Sequence, residues 1–331
     1  MEIAIFIGQF LIGLVLIIKG ADWMTDGAAG IAKRFGISTL VIGMTIVAIG
    51  SSAPEFVVSA LAALKGNTDM AIGNVVGSNI FNILAIMGAT ALVAKVNASK
   101  SNLRNDVPFA VLSSFVVLFA AFDSLFTPDA TDVISRSEGL LMLCIFAVFI
   151  SYTMAIAKNE NQDENLTQPS LPIEGEKQRS PRLGKCILLV IIGLAMLIFG
   201  GNWLVEGASG FATLLGVSQS IIALTIVSIG TSAPELAASM MAARKGDTAM
   251  ALGNVVGSVV FNVFFVLGTA AAINPLSLGN ITIIDIVTLL IASMTLWVFC
   301  KSHHALVKWE GIVLLLFQVL YYVILVINEQ Q

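Results

Sequence analysis

Two acids set in apolar surroundings are the residues of this chain best placed to do chemistry. Glu55 closes the stretch GSSAPE at 50–55, and Glu235 closes GTSAPE at 230–235. A carboxylate near the middle of a membrane segment costs about 2.5 kcal/mol or more to insert, and this chain carries that cost twice. No Lys or Arg stands beside either acid to neutralise it. A cation held between the two would do so, because carboxylates, carbonyls and hydroxyls are hard oxygen ligands that suit Ca²⁺ and Na⁺ rather than soft metals.

The neighbouring residues extend that ligand set. Gly50 weakens a helix, and Pro54 lacks the N–H that would bond the carbonyl four residues back, so the helix is expected to break just before Glu55. Carbonyls from Ala48 to Ser51 would then be released, which is tolerated at membrane depth only inside protein or along a polar cavity. Each acid is followed by a second motif, GNVVGSNIFN at 73–82 and GNVVGSVVFN at 253–262. Ser78 and Asn82 lie four apart, as do Ser258 and Asn262, so each pair shares one helix face and supplies neutral oxygens. The glycines at 73, 77, 253 and 257 read first as a packing groove for a close helix neighbour.

These motifs sit in a chain of 331 residues that is 57% hydrophobic and 11% charged, with a mean hydropathy of +0.93. Such a composition predicts an all-α integral membrane protein whose partner is the lipid bilayer. Apolar runs of spanning length, about 20 residues, are expected at 3–24, 38–64, 70–94, 107–126, 137–157, 184–205, 217–242, 248–272, 281–300 and 307–327. Residues 43–82 align without a gap on 223–262, with 25 of 40 positions identical, which makes the second stretch a repeat of the first. Ten spans then divide into two five-helix halves, 1–157 and 184–331, joined by a polar linker at 158–183. Because five is odd, the halves enter the membrane from opposite sides, and inverted repeats with interrupted helices are a pattern of secondary transporters.

Charge sets the expected orientation. With the N-terminus outside, fourteen Lys and Arg residues face the cytoplasm, against Lys65 and Arg136 outside, with Lys19 left within the first span. Both termini are then external and the linker is cytoplasmic, in the cell membrane. Asp22, Asp26 and Asp285 read as solvated or capping groups, and Trp23 and Trp203 as interfacial anchors. Cys144, Cys186 and Cys300 are scattered singly, with no metal or disulfide spacing. The two histidines are adjacent in a loop, and neither H-E-x-x-H nor G-x-S-x-G occurs, so an enzyme is not expected. No nucleic-acid partner, protein partner or cofactor is indicated.

GSSAPE with GNVVGSNIFN, repeated as GTSAPE with GNVVGSVVFN, resembles the two alpha-repeats of the cation/Ca²⁺ exchanger superfamily, in particular its prokaryotic sodium/calcium exchangers. The resemblance covers nearly the whole chain. It implies an antiporter that exchanges Na⁺ for Ca²⁺ by alternating access, the two ions being cargo, with a compact core crossed by two sliding helices, the first and the sixth. It implies that Glu55 and Glu235 are central carboxylates shared by both ions. Ser51 and Thr231 would offer backbone carbonyls to Ca²⁺. Ser52, Ser232, Ser78 and Ser258, with the carbonyls of Ala48 and Ser228, would be Na⁺ ligands, and Asn82 and Asn262 would complete the centre. Some relatives have Asp where this chain has Asn262, which argues against K⁺ dependence here. Exchange of Ca²⁺, or of another divalent ion, for H⁺ is the alternative reading.

Overall fold

The structure is a computed structural model that describes residues 2–99, 102–125, 131–167, 182–214, 228–279 and 281–329. Its α-helices, in chain order, are α1 (Glu2–Phe35), α2 (Thr39–Ser51), α3 (Ala53–Leu64), α4 (Thr68–Val93), α5 (Asn102–Ala121), α6 (Arg136–Thr167), α7 (Leu183–Leu214), α8 (Ser228–Thr231), α9 (Ala233–Arg244), α10 (Thr248–Ile273), α11 (Ile283–His303) and α12 (Lys308–Glu329). Among the described residues, eight helices are long and apolar enough to cross a membrane. The α2–α3 pair, bent by 48°, brings the number to nine. The remaining expected span, 217–242, is described only from α8 onward, and residues 215–227 lie outside the described residues.

Helix ends depart from the hydropathy pattern in two ways. α1 and α7, of 34 and 32 residues, outrun the apolar segments expected at 3–24 and 184–205. At about 1.5 Å per residue each is roughly 50 Å long, more than enough to cross a hydrocarbon layer of about 30 Å. α6 likewise continues to Thr167, through ten residues at the start of the expected linker. Lys, Glu and Gln sustain a helix once it has left the membrane, and hydropathy is blind to that.

α4 and α10 form the centre. Of the most apolar stretch of each, 83% and 78% is buried, against 17% in α1 and 28% in α7. α1 and α7 instead pack against each other along their length. Small residues spaced by seven permit this: a methyl added at Gly13 would lie 2.7 Å from the Gly200 carbonyl oxygen, and one at Gly20 would lie 2.8 Å from that of Gly193. As the first number rises the second falls, so the two helices are antiparallel. The buried apolar side chains form two clusters. One unites α4 and α10 with α5, α6, α11 and α12; the other joins α1 and α7 to α9 through Ile17, Met24, Val190, Leu197 and Ala238.

Two short antiparallel strand pairs join the loops: β1 (Val96–Asn97) with β4 (Ala305–Leu306), and β2 (Val133–Ile134) with β3 (Leu276–Ser277). Each pairing links one half of the chain to the other. Asp22 and Asp26 reach solvent as expected, Asp26 more than Asp22, and they are also paired. Both bind the Lys245 ammonium, at 2.7 and 2.8 Å, and so tie α1 to the end of α9. Asp285 is the cap it was expected to be, accepting from Thr282 N–H at 2.8 Å.

Candidate cation site

The helix break falls where glycine and proline predict it, and it falls alike in both halves. Ser52 adopts φ −85°, ψ 9° between α2 and α3, and Ser232 adopts φ −90°, ψ 7° between α8 and α9. Pro54 and Pro234 occupy the first turn of the helix that follows, where a missing N–H is harmless. Glu55 and Glu235 lie in that same first turn, so each carboxylate benefits from the unpaired N–H groups of a helix N-terminus.

Both acids are almost wholly removed from solvent, with 1% of Glu55 and none of Glu235 exposed. Two crossed hydrogen bonds bring them together. Ser52 Oγ, on the turn that carries Glu55, donates to Glu235 Oε1 at 2.9 Å. Ser232 Oγ, beside Glu235, donates to Glu55 Oε1 at 3.5 Å. Among the described residues neither acid has a Lys, Arg or His partner within ion-pair distance.

Each break is held from the adjacent helix by an asparagine that the sequence reading passed over. Asn74 Nδ2 donates to the Glu55 carbonyl at 3.1 Å and to Ser59 Oγ at 2.9 Å. Asn254 Nδ2 repeats the pattern on the Glu235 carbonyl at 3.3 Å and on Ser239 Oγ at 2.8 Å, and its Oδ1 also accepts from Ser51 Oγ at 3.3 Å. The signal was present, since an amide that recurs at the same place in two apolar helices needs a buried partner. Asn254→Ala is expected to lower stability by about 1–3 kcal/mol, the cost of stranding buried hydrogen-bonding groups. Asn74→Ala should cost less, because Asn74 is only partly buried and makes one bond fewer. Thermal unfolding of the two variants side by side checks the order.

The remaining expected ligands are placed as follows. Ser78, Ser258, Asn82 and Asn262 are all buried on α4 and α10. Asn82 and Asn262 each open a π-helical stretch, Asn82–Ile86 and Asn262–Leu267, a widening of the helix that is common at functional positions and that no hydropathy pattern announces. Ser51 is buried and Thr231 half-buried at the ends of α2 and α8. Ser228 is the first residue of α8. The Ala48 carbonyl, expected to be released by the break, accepts the Ser52 N–H at 3.0 Å and the Ser51 hydroxyl at 3.3 Å.

Five buried oxygens of these expected ligands have no hydrogen-bond partner: Glu55 Oε2, Glu235 Oε2, Asn82 Oδ1, Asn262 Oδ1 and Ser258 Oγ. Leaving a buried acceptor unmatched costs about 1–3 kcal/mol, and native interiors rarely accumulate such groups. A set of hard oxygens with no donors to match is suited to a metal cation. Among the described residues there is no cluster of three or more His, Cys, Asp or Glu side chains that could hold a metal ion.

Comparison with known proteins agrees with this chemistry. The sequence profile described as "Sodium/calcium exchanger protein" matches residues 5–155 and 185–327. The chain is 32% identical to the sodium/calcium exchanger MaX1 of Methanosarcina acetivorans, over 95% of this chain and 97% of that one. It is 40% identical to the putative antiporter CaxA of Alkalimonas amylolytica, over 80% of each chain. Its fold matches that of the sodium-calcium exchanger NCX_Mj with a TM-score of 0.81 at 28% identity, covering 97% of this chain and 99% of the other. The relatives are transporters, not enzymes. This chain, a multi-pass α-helical membrane protein, belongs to the sodium/calcium exchanger family.

Proposed function

We propose that this protein exchanges Na⁺ for Ca²⁺ across the cell membrane by alternating access, with Glu55 and Glu235 as paired carboxylates in a site at the membrane midplane. The observation that carries the reading is the crossed pair of hydrogen bonds, Ser52 to Glu235 and Ser232 to Glu55, which gathers two acids from opposite halves among oxygens that have no donors. Ser51, Ser52, Thr231, Ser232, Ser78, Ser258, Asn82 and Asn262, with the carbonyls of Ala48 and Ser228, are the neutral part of the ligand set.

The ten-span inverted topology, with halves 1–157 and 184–331, is part of the same proposal. Several contacts support it because they recur when the two halves are exchanged. Gly13 with Gly200 becomes Gly193 with Gly20 under the offset of the repeat, and both pairs are in contact. Asn97 N–H donates to Thr248 Oγ1, and the equivalent residues Ser277 and Thr68 are also hydrogen-bonded. The first of these pairs falls on the proposed cytoplasmic side and the second on the outer side, as do the β1–β4 and β2–β3 pairings respectively. The α1–α7 pair meets the rest of the molecule through a second apolar cluster, in which Ile17, Met24 and Leu197 pack with Val47 of α2 and Ala238 of α9, and sliding at this cluster would be the movement that alternates access.

Exchange follows from charge. One Ca²⁺, or more than one Na⁺, balances two carboxylates, whereas the site without cations would carry its charge through an apolar barrier. Only loaded states then switch sides, and a Na⁺ gradient drives Ca²⁺ against its own. Proteoliposomes loaded with Na⁺ are expected to take up radiolabelled Ca²⁺, and choline-loaded vesicles at the same pH are not. Equal uptake driven by a proton gradient alone would replace Na⁺ with H⁺ in the proposal, and uptake under neither gradient would overturn it.

A further inference from the structure

Among the positions where the two halves differ near the site, one difference has a chemical direction. Residue 79 is Asn, in GSNIFN, whereas its counterpart is Val259, in GSVVFN. Asn79 is fully buried on α4 and forms a two-step relay into α10: its Nδ2 donates to the Val259 carbonyl at 3.3 Å, and its Oδ1 accepts from Asn262 Nδ2 at 3.1 Å.

Each step fixes the next. A backbone carbonyl can only accept, so the amide nitrogen of Asn79 must face Val259, which leaves its oxygen to face Asn262. That oxygen can also only accept, so Asn262 must present its nitrogen. The Asn262 oxygen is therefore the atom turned elsewhere, and it is one of the five buried oxygens without a hydrogen-bond partner. On the other side of the site nothing equivalent exists. Val259 offers no side-chain polar atom, and among the described residues Asn82 makes no side-chain hydrogen bond, although its Oδ1 is buried. One of the two amides is locked and the other is not.

We propose that Asn79 is a positioning residue, which holds the Asn262 side chain with its oxygen, and never its nitrogen, toward the cation. The inference rests on the reading of Asn262 as a ligand and adds to it a reason for the asymmetry between the halves. An amide that can turn over presents N–H hydrogens to the ion for part of the time. The ion–dipole penalty scales with ionic charge, so it weighs twice as heavily on Ca²⁺ as on Na⁺. Asn79 thus favours the divalent ion.

The test is equilibrium binding of Ca²⁺ to the purified full-length protein, with Na⁺ competition and a melting temperature for every variant. N79V, which copies the residue of the other half, is expected to weaken Ca²⁺ binding about tenfold and Na⁺ binding about threefold per ion, since the square root of ten reflects the halved charge. The decisive comparison repeats N79V in an N262D background. A carboxylate has two equivalent oxygens and needs no orientation, so the Ca²⁺ penalty of N79V should vanish or reverse there. Where N79V does not fold, N79A provides the same pair of measurements. Unchanged Ca²⁺ affinity in N79V, or the same loss in both backgrounds, would overturn the positioning role and reduce Asn79 to packing. E55Q is the control for the underlying site: undiminished Ca²⁺ binding in E55Q would overturn the site itself, a result distinct from failure of the Asn79 comparison.

Discussion

Replacing either acid by its amide, Glu55→Gln or Glu235→Gln, is expected to reduce Na⁺-driven Ca²⁺ uptake at least ~100-fold while leaving the protein as stable as before or more so. Two unit charges 4 Å apart attract by about 4 kcal/mol at an effective dielectric of 20. With a divalent ion the figure is about 8 kcal/mol before desolvation is subtracted. If only a third survives, about 2.7 kcal/mol, binding falls by about 100-fold. Stability should move in the opposite direction. Both carboxylates are buried with an oxygen that no donor satisfies, and an amide carries no charge to desolvate. The crossed bonds from Ser52 and Ser232 survive because the amide oxygen still accepts. Uptake in proteoliposomes and a melting curve without Ca²⁺ check both halves of the prediction. A variant that melts early would instead mean that the acids hold the fold together, and one that transports normally would remove the Glu pair from the mechanism.

The second large effect is expected at Gly257→Val. A Cβ at this position would sit 2.6 Å from both Cα and O of Met44 and 2.8 Å from Cβ of Ala48. Two of those three atoms are backbone, so no change of rotamer relieves the clash, and α10 cannot retreat because every residue from Met250 to Phe261 is buried. Overpacking of this kind costs about 1–3 kcal/mol for a modest insertion, and a branched side chain against backbone lies at or beyond the upper end. Gly257→Ala should be destabilised and Gly257→Val more so, to the point of losing monodisperse folded protein in detergent. Gel filtration and thermal unfolding along the series Gly, Ala, Val test this. A flat series would mean that α2 and α10 are not in contact. The contact also matters for the site, since Met44 and Ala48 lie on α2, which leads into the break at Ser52.

Much of this molecule follows from residues close together in the chain. Composition alone places it in a membrane. Gly50 with Pro54 sets the first break, and the equivalent pair in the second half sets the other, because a missing N–H and a missing Cβ act locally. The repeat singles out Glu55 and Glu235, since a buried charge that recurs must be compensated. The helix ends were poorly legible, for α1, α6 and α7 run past the apolar runs into water, where helix propensity rather than hydropathy decides.

Tertiary structure alone decided which groups meet. That Ser52 reaches Glu235 rather than its own neighbour Glu55 depends on how one half packs against the other, 183 residues away in sequence. The same is true of Asp22 and Asp26, which lie solvated along α1 and are also bound by Lys245, and of Asn79, whose side-chain bonds go to α10. Local sequence records which groups need a partner. Which partner each one finds is set by the close approach of α2 and α4 to α10 and of α1 to α7, and it is this packing that brings each of the two carboxylates to the serine beside the other.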